Sequence, residues 1–225
     1  RTKLVVRGKF GIRRKRIATR RRVHDAVVVA GNAFLAALAE QGIKVPARPV
    51  YKKAPKGLKP IASHRSRPIA ELLKTCNQTS HNGYAESFYK LVGAKKIGAP
   101  GSSKKGQQAA EKVLGDLGLD FKALRLRNGS GLYHANQVTA RQVVALLSGM
   151  HKLPRVGKAW RRTLAVGGAA GTLRGRLRGP ATRRKIFAKT GTLDDVTALA
   201  GYALGKDRQY AFALFFNDVK APARI

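Results

Sequence analysis

The chain has 225 residues, 44% of them hydrophobic, enough to bury a sizeable core in one large domain or one domain plus part of another. Lys and Arg number 46 against 11 Asp and Glu, a formal net charge of +35 that repels itself unless anions neutralise it. No apolar run approaches the roughly 18 residues of a membrane span, and a single cysteine, Cys76, excludes an internal disulfide.

In chain order, residues 1–24 are basic, with short apolar alternations at Leu4-Val5-Val6 and Phe10-Gly11-Ile12 that read as one or two short strands. Asp25 is placed to N-cap an apolar helix from Ala26 to Gln41, closed by Gly42, and Ile43-Lys44-Val45 reads as a strand. Pro46, Pro49, Pro55 and Pro60 then punctuate a linker-like stretch. Further on, helices are expected near 67–79, 81–92, 105–117 and 139–149, and strands near 184–192, 196–204 and 209–217, with a tight turn at Gly205-Lys206-Asp207-Arg208. The late strands suggest an antiparallel sheet edge. Neither the isolated histidines His24, His64, His134 and His151 nor the glycine loop at 167–171 shows metal-ligand or phosphate-loop spacing. Cys76, between Thr75 and Asn77, reads as incidental, and His81 as a solvent or loop residue.

Lys189-Thr190-Gly191-Thr192-Leu193 carries the most information. A Lys-Thr-Gly on the edge of a strand is one of three short motifs that build a serine acyl-enzyme site. The lysine supplies positive charge, the threonine hydroxyl can bind a carboxylate, and the glycine leaves room for an extended substrate beside the backbone. A second element lies upstream: Ser80-His81-Asn82 is a Ser-x-Asn, with Ser80 also a candidate N-cap of the helix that follows. A third segment is Asn128-Gly129-Ser130-Gly131-Leu132-Tyr133, followed by Asn136.

In order and spacing these segments resemble the D-alanyl-D-alanine carboxypeptidase/endopeptidase family, the class C low-molecular-mass penicillin-binding proteins. Gly171-Thr172-Leu173-Arg174-Gly175-Arg176-Leu177, Tyr210 to Asn217 and His64 to Leu73 also fit the family pattern, so the resemblance covers residues 25–217. It implies an α+β fold, an antiparallel sheet covered by helices on both faces. Residues 1–50 would be the return segment of an inserted accessory domain with its lead-in, and residues 51–225 a partial transpeptidase-like catalytic domain. It implies a serine-type carboxypeptidase or endopeptidase acting on peptidoglycan stem peptides in the periplasm or another extracytoplasmic space, binding β-lactams and using no cofactor or metal. Ser80 and Lys189 would move protons, Asn82 hold the substrate amide, Thr190 bind the terminal carboxylate, Gly191 make room, and the Thr192 N–H form half of an oxyanion hole.

The chain departs from the family at Asn128, where Asp is frequent, at Tyr133, where Ser is frequent, and at His81, where Asp or Asn is usual. The family's nucleophile lies in a Ser-x-x-Lys well before Ser-x-Asn. Here the two matches, Ser87-Phe88-Tyr89-Lys90 and Ser102-Ser103-Lys104-Lys105, both follow it. The expectation is a partial chain whose partner is the amino-terminal part of the same protein. The alternative is a non-catalytic, highly basic descendant that binds nucleic acid or another polyanion in an assembly such as a ribonucleoprotein. The clusters Arg13 to Arg16, Arg20 to Arg22, Lys52-Lys53, Arg161-Arg162 and Arg183 to Lys185 would serve it. Aromatic residues are not interleaved with these clusters, so phosphate contact rather than base stacking would dominate.

Overall fold

A computed structural model describes residues 25–53, 55–116, 124–132 and 134–219. The strands expected in 1–24, the basic clusters at 13–16 and 20–22, and Tyr133 lie outside the described residues. The chain divides into two compact units, residues 1–63 and 64–225.

In the first unit, α1 spans Ala26–Glu40. Asp25 caps it by accepting hydrogen bonds from the N–H groups of Val27 and Val28, and takes a third from the Tyr51 hydroxyl at 2.7 Å. The strand expected at Ile43-Lys44-Val45 does not form; these residues follow the helix as irregular chain. Three residues of apolar alternation cannot hold an extended conformation without a neighbouring strand to take their backbone hydrogen bonds.

The second unit is α+β. Helices α2 (Ile69–Thr79), α3 (Asn82–Lys96), α4 (Ser103–Asp116), α5 (Ala140–Lys152) and α6 (Pro154–Thr163) precede or flank four strands. The strands are β1 (Ala165–Val166), β2 (Ile186–Thr192), β3 (Thr197–Leu204) and β4 (Gln209–Phe216), forming one antiparallel sheet in the order β1-β2-β3-β4. The helix expected to end at Gly93 runs on to Lys96, because Gly93 packs against the backbone of Lys105 and Gly106 in α4 rather than closing the helix. Thr139 and Gln142 form a reciprocal capping box that starts α5. The strand expected from 184 begins at Ile186, since Arg184 sits at φ 58°, a left-handed conformation no strand contains.

Two short elements were not expected. α6 carries little apolar sequence, but Pro154 pre-sets its first turn and Leu164, Trp160 and Thr163 anchor it. β1 is only two residues long, yet it pairs Ala165 with Ala188 and Val166 with Phe187.

The alternation of side chains along the strands builds two cores. On one face, Phe187, Ala200, Tyr202 and Ala211 pack with Leu147 of α5 and with Leu164 and Trp160 at α6. On the other, Ala165, Leu173, Ala188 and Leu199 cluster with Leu177, Ile186 and Phe212. On that second face Tyr210, Leu214 and Phe216 of β4 remain 56%, 43% and 50% exposed. Among the described residues helices cover one face of the sheet; the resemblance implied helices on both faces of the complete domain and only part of that domain here. No described helix is long and apolar enough to cross a membrane.

Candidate active site

Helices α2 and α3 meet in a two-residue joint that sets the geometry of the site. Ser80 closes α2 with φ 56° and ψ 51°, and His81 opens α3. Ser80 is thus the C-cap of the helix before it, not the N-cap of the helix after it. His81 takes the capping role, its Nδ1 accepting from the Tyr84 N–H at 3.2 Å while its ring stacks on Tyr84. A left-handed conformation costs a non-glycine residue about 1–2 kcal/mol, and here it turns the Ser80 hydroxyl toward the sheet. The joint is fastened from below: Asn77 Nδ2 donates to Thr163 Oγ1 at 2.7 Å, and Gln78 Nε2 to the Leu164 carbonyl at 3.1 Å.

From the sheet, Lys189 of β2 reaches this joint. Its Nζ donates to Ser80 Oγ at 2.7 Å and also to the carbonyl of Thr190. Burial lowers the pKa of Lys189, against a smaller opposing effect of Cys76. Cys76 is itself buried beside the cleft, where loss of solvent raises its pKa and Lys189 partly offsets the rise. Nothing local in the sequence marks that placement: a lone cysteine between polar residues sits on the inward face of α2.

Lys189, Ser80, Asn82, Thr190, Gly191 and Thr192 all line one open cleft of about 790 Å³. β1 pairs only with Phe187 and Ala188, so among the described residues the outer edge of β2 is free of any strand from Lys189 onward. Hydrogen-bonded and non-bonded pairs alternate in an antiparallel ladder. The Leu204 N–H bonds Lys185 O and the Leu193 N–H bonds Val196 O, so the odd-numbered residues of β2 face β3. Thr190 and Thr192 consequently turn their N–H and C=O groups to the free edge and into the cleft. Gly191 has no packing reason to be glycine: a Cβ there would meet only Ala198 Cβ at an ordinary 3.4 Å. The Thr190 hydroxyl is hydrogen-bonded to Thr172 Oγ1 at 2.9 Å, which joins the 171–173 turn to the site. The Asn82 side chain is exposed at the mouth.

The opposite wall is the 128–132 loop. Glu86 of α3 holds it through hydrogen bonds from the Ser130 N–H at 3.0 Å and Ser130 hydroxyl at 2.6 Å. Burial alone would raise the Glu86 pKa, but these bonds outweigh it and the net shift is downward. Gly129 lies so close to α3 that a Cβ would collide with Ala85 O and come within 2.8 Å of Tyr89 Cβ. Asn128 Oδ1 accepts from the Gly131 N–H at 2.6 Å and from Asn136 Nδ2 at 3.2 Å, while its own Nδ2 is buried at the cleft without a partner. His134 and Asp195 approach to 3.3 Å at the rim. Neither Ser-x-x-Lys match lines the cleft. Ser87 Oγ is turned back onto its own helix, donating to Gly83 O at 2.8 Å.

The arrangement can position a proton at a serine–lysine pair and align an extended peptide along a strand edge. The chain matches the D-Ala-D-Ala carboxypeptidase 3 (S13) family over residues 1–224 and belongs to it. It is 34% identical over 213 residues to a D-alanyl-D-alanine carboxypeptidase of Actinomadura sp., covering 91% of this chain and 39% of that protein. To the D-alanyl-D-alanine carboxypeptidase DacB of Haemophilus influenzae it is 29% identical over 183 residues, covering 80% of this chain and 38% of the relative. The crystal structure of penicillin-binding protein 4 (dacB) from Haemophilus influenzae, complexed with a β-lactam, superposes with a TM-score of 0.76 at 26% identity, covering 90% of this chain and 48% of that one. The chain thus spans about two fifths of the length of these curated relatives.

Proposed function

We propose that this chain supplies the Ser-x-Asn and Lys-Thr-Gly half of a serine acyl-enzyme site that cleaves the terminal D-Ala, or a D-Ala cross-link, of peptidoglycan stem peptides in an extracytoplasmic space. The observation that carries the reading is the 2.7 Å hydrogen bond between Lys189 Nζ and Ser80 Oγ at the head of the open β2 edge. The nucleophilic serine and the second oxyanion donor come from a segment outside these 225 residues. On this reading residues 1–50 are the return segment of an inserted accessory domain, and 51–225 are part of the catalytic domain. The chain's coverage of about two fifths of its relatives' length fits its being a part of such a domain.

The roles follow from position. The substrate lies along β2 in place of a further strand, its terminal carboxylate at the Thr190 hydroxyl, its amide at Asn82, and its backbone over Gly191. The serine attacks the carbonyl of the penultimate D-Ala, and its proton passes into the Ser80–Lys189 pair. Negative charge on the tetrahedral oxygen is held by the Thr192 N–H and the nucleophile's own N–H. The pair returns a proton to the departing D-Ala amine, and water then hydrolyses the acyl-enzyme, regenerating the serine. A β-lactam would be opened by the same attack.

Labelling with a fluorescent penicillin tests this. Labelling of the complete protein and not of residues 1–225 alone is the expected result. Absence of label on both removes the enzyme reading and leaves the non-catalytic polyanion-binding alternative.

A further inference from the structure

Beyond the cleft the chain builds a second concavity, of about 460 Å³, lined by Gly168, Ala169, Arg174, Arg178, Arg183 and Arg184. We infer that this four-arginine bowl is a binding site for the phosphate groups of a linear phosphodiester polymer, separate from the acyl-enzyme cleft.

Three observations carry the inference. None of the four arginines forms an ion pair or a side-chain hydrogen bond with any described residue, so four exposed arginines line one concavity without a counter-charge among the described residues. Like charges gathered around one concavity repel unless an anion sits among them. The backbone around the bowl is held in uncommon conformations: Leu177 and Arg184 are non-glycine residues at φ 53° and 58°, and Gly168 lies at φ 62°. Such residues persist where the surrounding structure over-determines them, and they concentrate at ligand sites. Gly168 keeps the lining uncrowded: a Cβ there would stand 3.0 Å from Arg183 Cγ, 3.1 Å from Leu177 O and 3.2 Å from Arg178 Cα.

The chemistry of the lining selects the ligand class. All four cations are arginines, whose planar fork pairs bidentately with phosphate oxygens. The whole segment 174–185 carries six cations and no acid, more than one phosphate ion can satisfy but well matched to a chain of repeating phosphates. Arg184 lies two residues before β2 begins, five residues in sequence before Lys189, and the bowl shares no lining residue with the cleft. A polymer seated in the bowl would therefore hold the chain at an anionic surface without entering the cleft. This inference does not depend on the acyl-enzyme reading, because its test involves no penicillin.

The test is binding of fluorophore-labelled poly(glycerol phosphate) to the full 225-residue chain, followed by anisotropy across a sodium chloride series. The variant R174Q/R178Q/R183Q/R184Q is compared with K95Q/K96Q/K104Q/K112Q, which removes the same charge from exposed lysines of α3 and α4. The bowl variant should bind at least about tenfold more weakly than the lysine variant, with the slope of log K against log salt reduced by about three. R178Q alone should give an intermediate loss, and thermal melts of all variants should superpose. Equal losses in the two quadruple variants would overturn the site, leaving only the diffuse +35 charge. Equal loss of poly-glutamate binding would overturn the assignment to phosphate. Loss of binding to phosphatidylglycerol vesicles with polymer binding intact would replace the polymer by a lipid surface and overturn the proposal as stated.

Discussion

On one face of the sheet, Phe187, Ala200, Tyr202 and Ala211 lie under α5 and α6. On the other face of the same strands, Tyr210, Leu214 and Phe216 stand half in solvent. An antiparallel sheet with one wet face ordinarily alternates apolar with polar residues. β4, Gln209–Phe216, does not; apart from Gln209 it is apolar on both sides. The sheet is therefore composed for cover on two faces and, among the described residues, receives helices on one. The site lies where the covered face ends, at the free edge of β2, with α2 and α3 behind it. Its residues are consequently held between packed cores, while the half-exposed end of β4 on the second face contributes little to stability.

The sharpest way to break this contrast is to remove one leucine from each face. Leu164 is 1% exposed under the covered face and Leu214 is 43% exposed on the open one. Leu164→Ala should destabilise the chain by about 2–5 kcal/mol, the cost of a buried leucine plus its cavity. Leu214→Ala should cost less than about 0.5 kcal/mol. Urea denaturation measures both. Equal losses would mean that the second face is covered after all.

Next in size is the chemistry at the cleft edge. In the complete protein, Lys189→Ala should reduce penicillin acylation about a hundredfold, or roughly 3 kcal/mol, as for loss of one transition-state contact. Lys185→Ala, one residue before the same strand, should leave it nearly unchanged. Equal reduction would show that diffuse positive charge, not a defined lysine, supports the reaction. A smaller effect is expected at the centre of the covered face. The Tyr202 hydroxyl donates to the Leu147 carbonyl at 2.8 Å, fully buried. Tyr202→Phe leaves that carbonyl without its side-chain donor and should cost about 1 kcal/mol in the same denaturation assay.

What was legible in the sequence divides along similar lines. The periodic segments α1 to α5 and β2 to β4 could be read because their apolar spacing and caps are local signals. Lys189, Thr190, Gly191, Ser80 and Asn82 could be read because motif order carries them. α6 escaped because its stability comes from packing: Gly157 lies against the carbonyls of Met150 and His151, and the helix presents few apolar residues. The Ser80 backbone escaped because Ser is a common N-cap, and nothing local distinguishes a left-handed C-cap from one. The Glu86–Ser130 link and the burial of Cys76 beside Lys189 depend on long-range assembly, which no short window of sequence records.

The smallest effect concerns protons at Lys189. Burial lowers its pKa below the usual 10.5. The unfolded chain therefore holds this proton over a range of pH in which the folded chain has begun to release it. Stability rises with pH wherever the unfolded state binds more protons. Below the folded pKa the charged, buried ammonium carries its full desolvation cost. That cost is relieved as pH rises from the folded value toward 10.5. Lys189→Met abolishes the titration while keeping much of the side-chain volume. The stability of the wild-type chain relative to Lys189→Met should be flat well below the lowered folded pKa and should then increase as pH rises through it toward 10.5. Taking the difference between two chains cancels the titration of the other lysines. A difference that stays flat through that window would mean that Lys189 is solvated like any surface lysine, and that the cleft is wetter than its position beneath Ser80 implies.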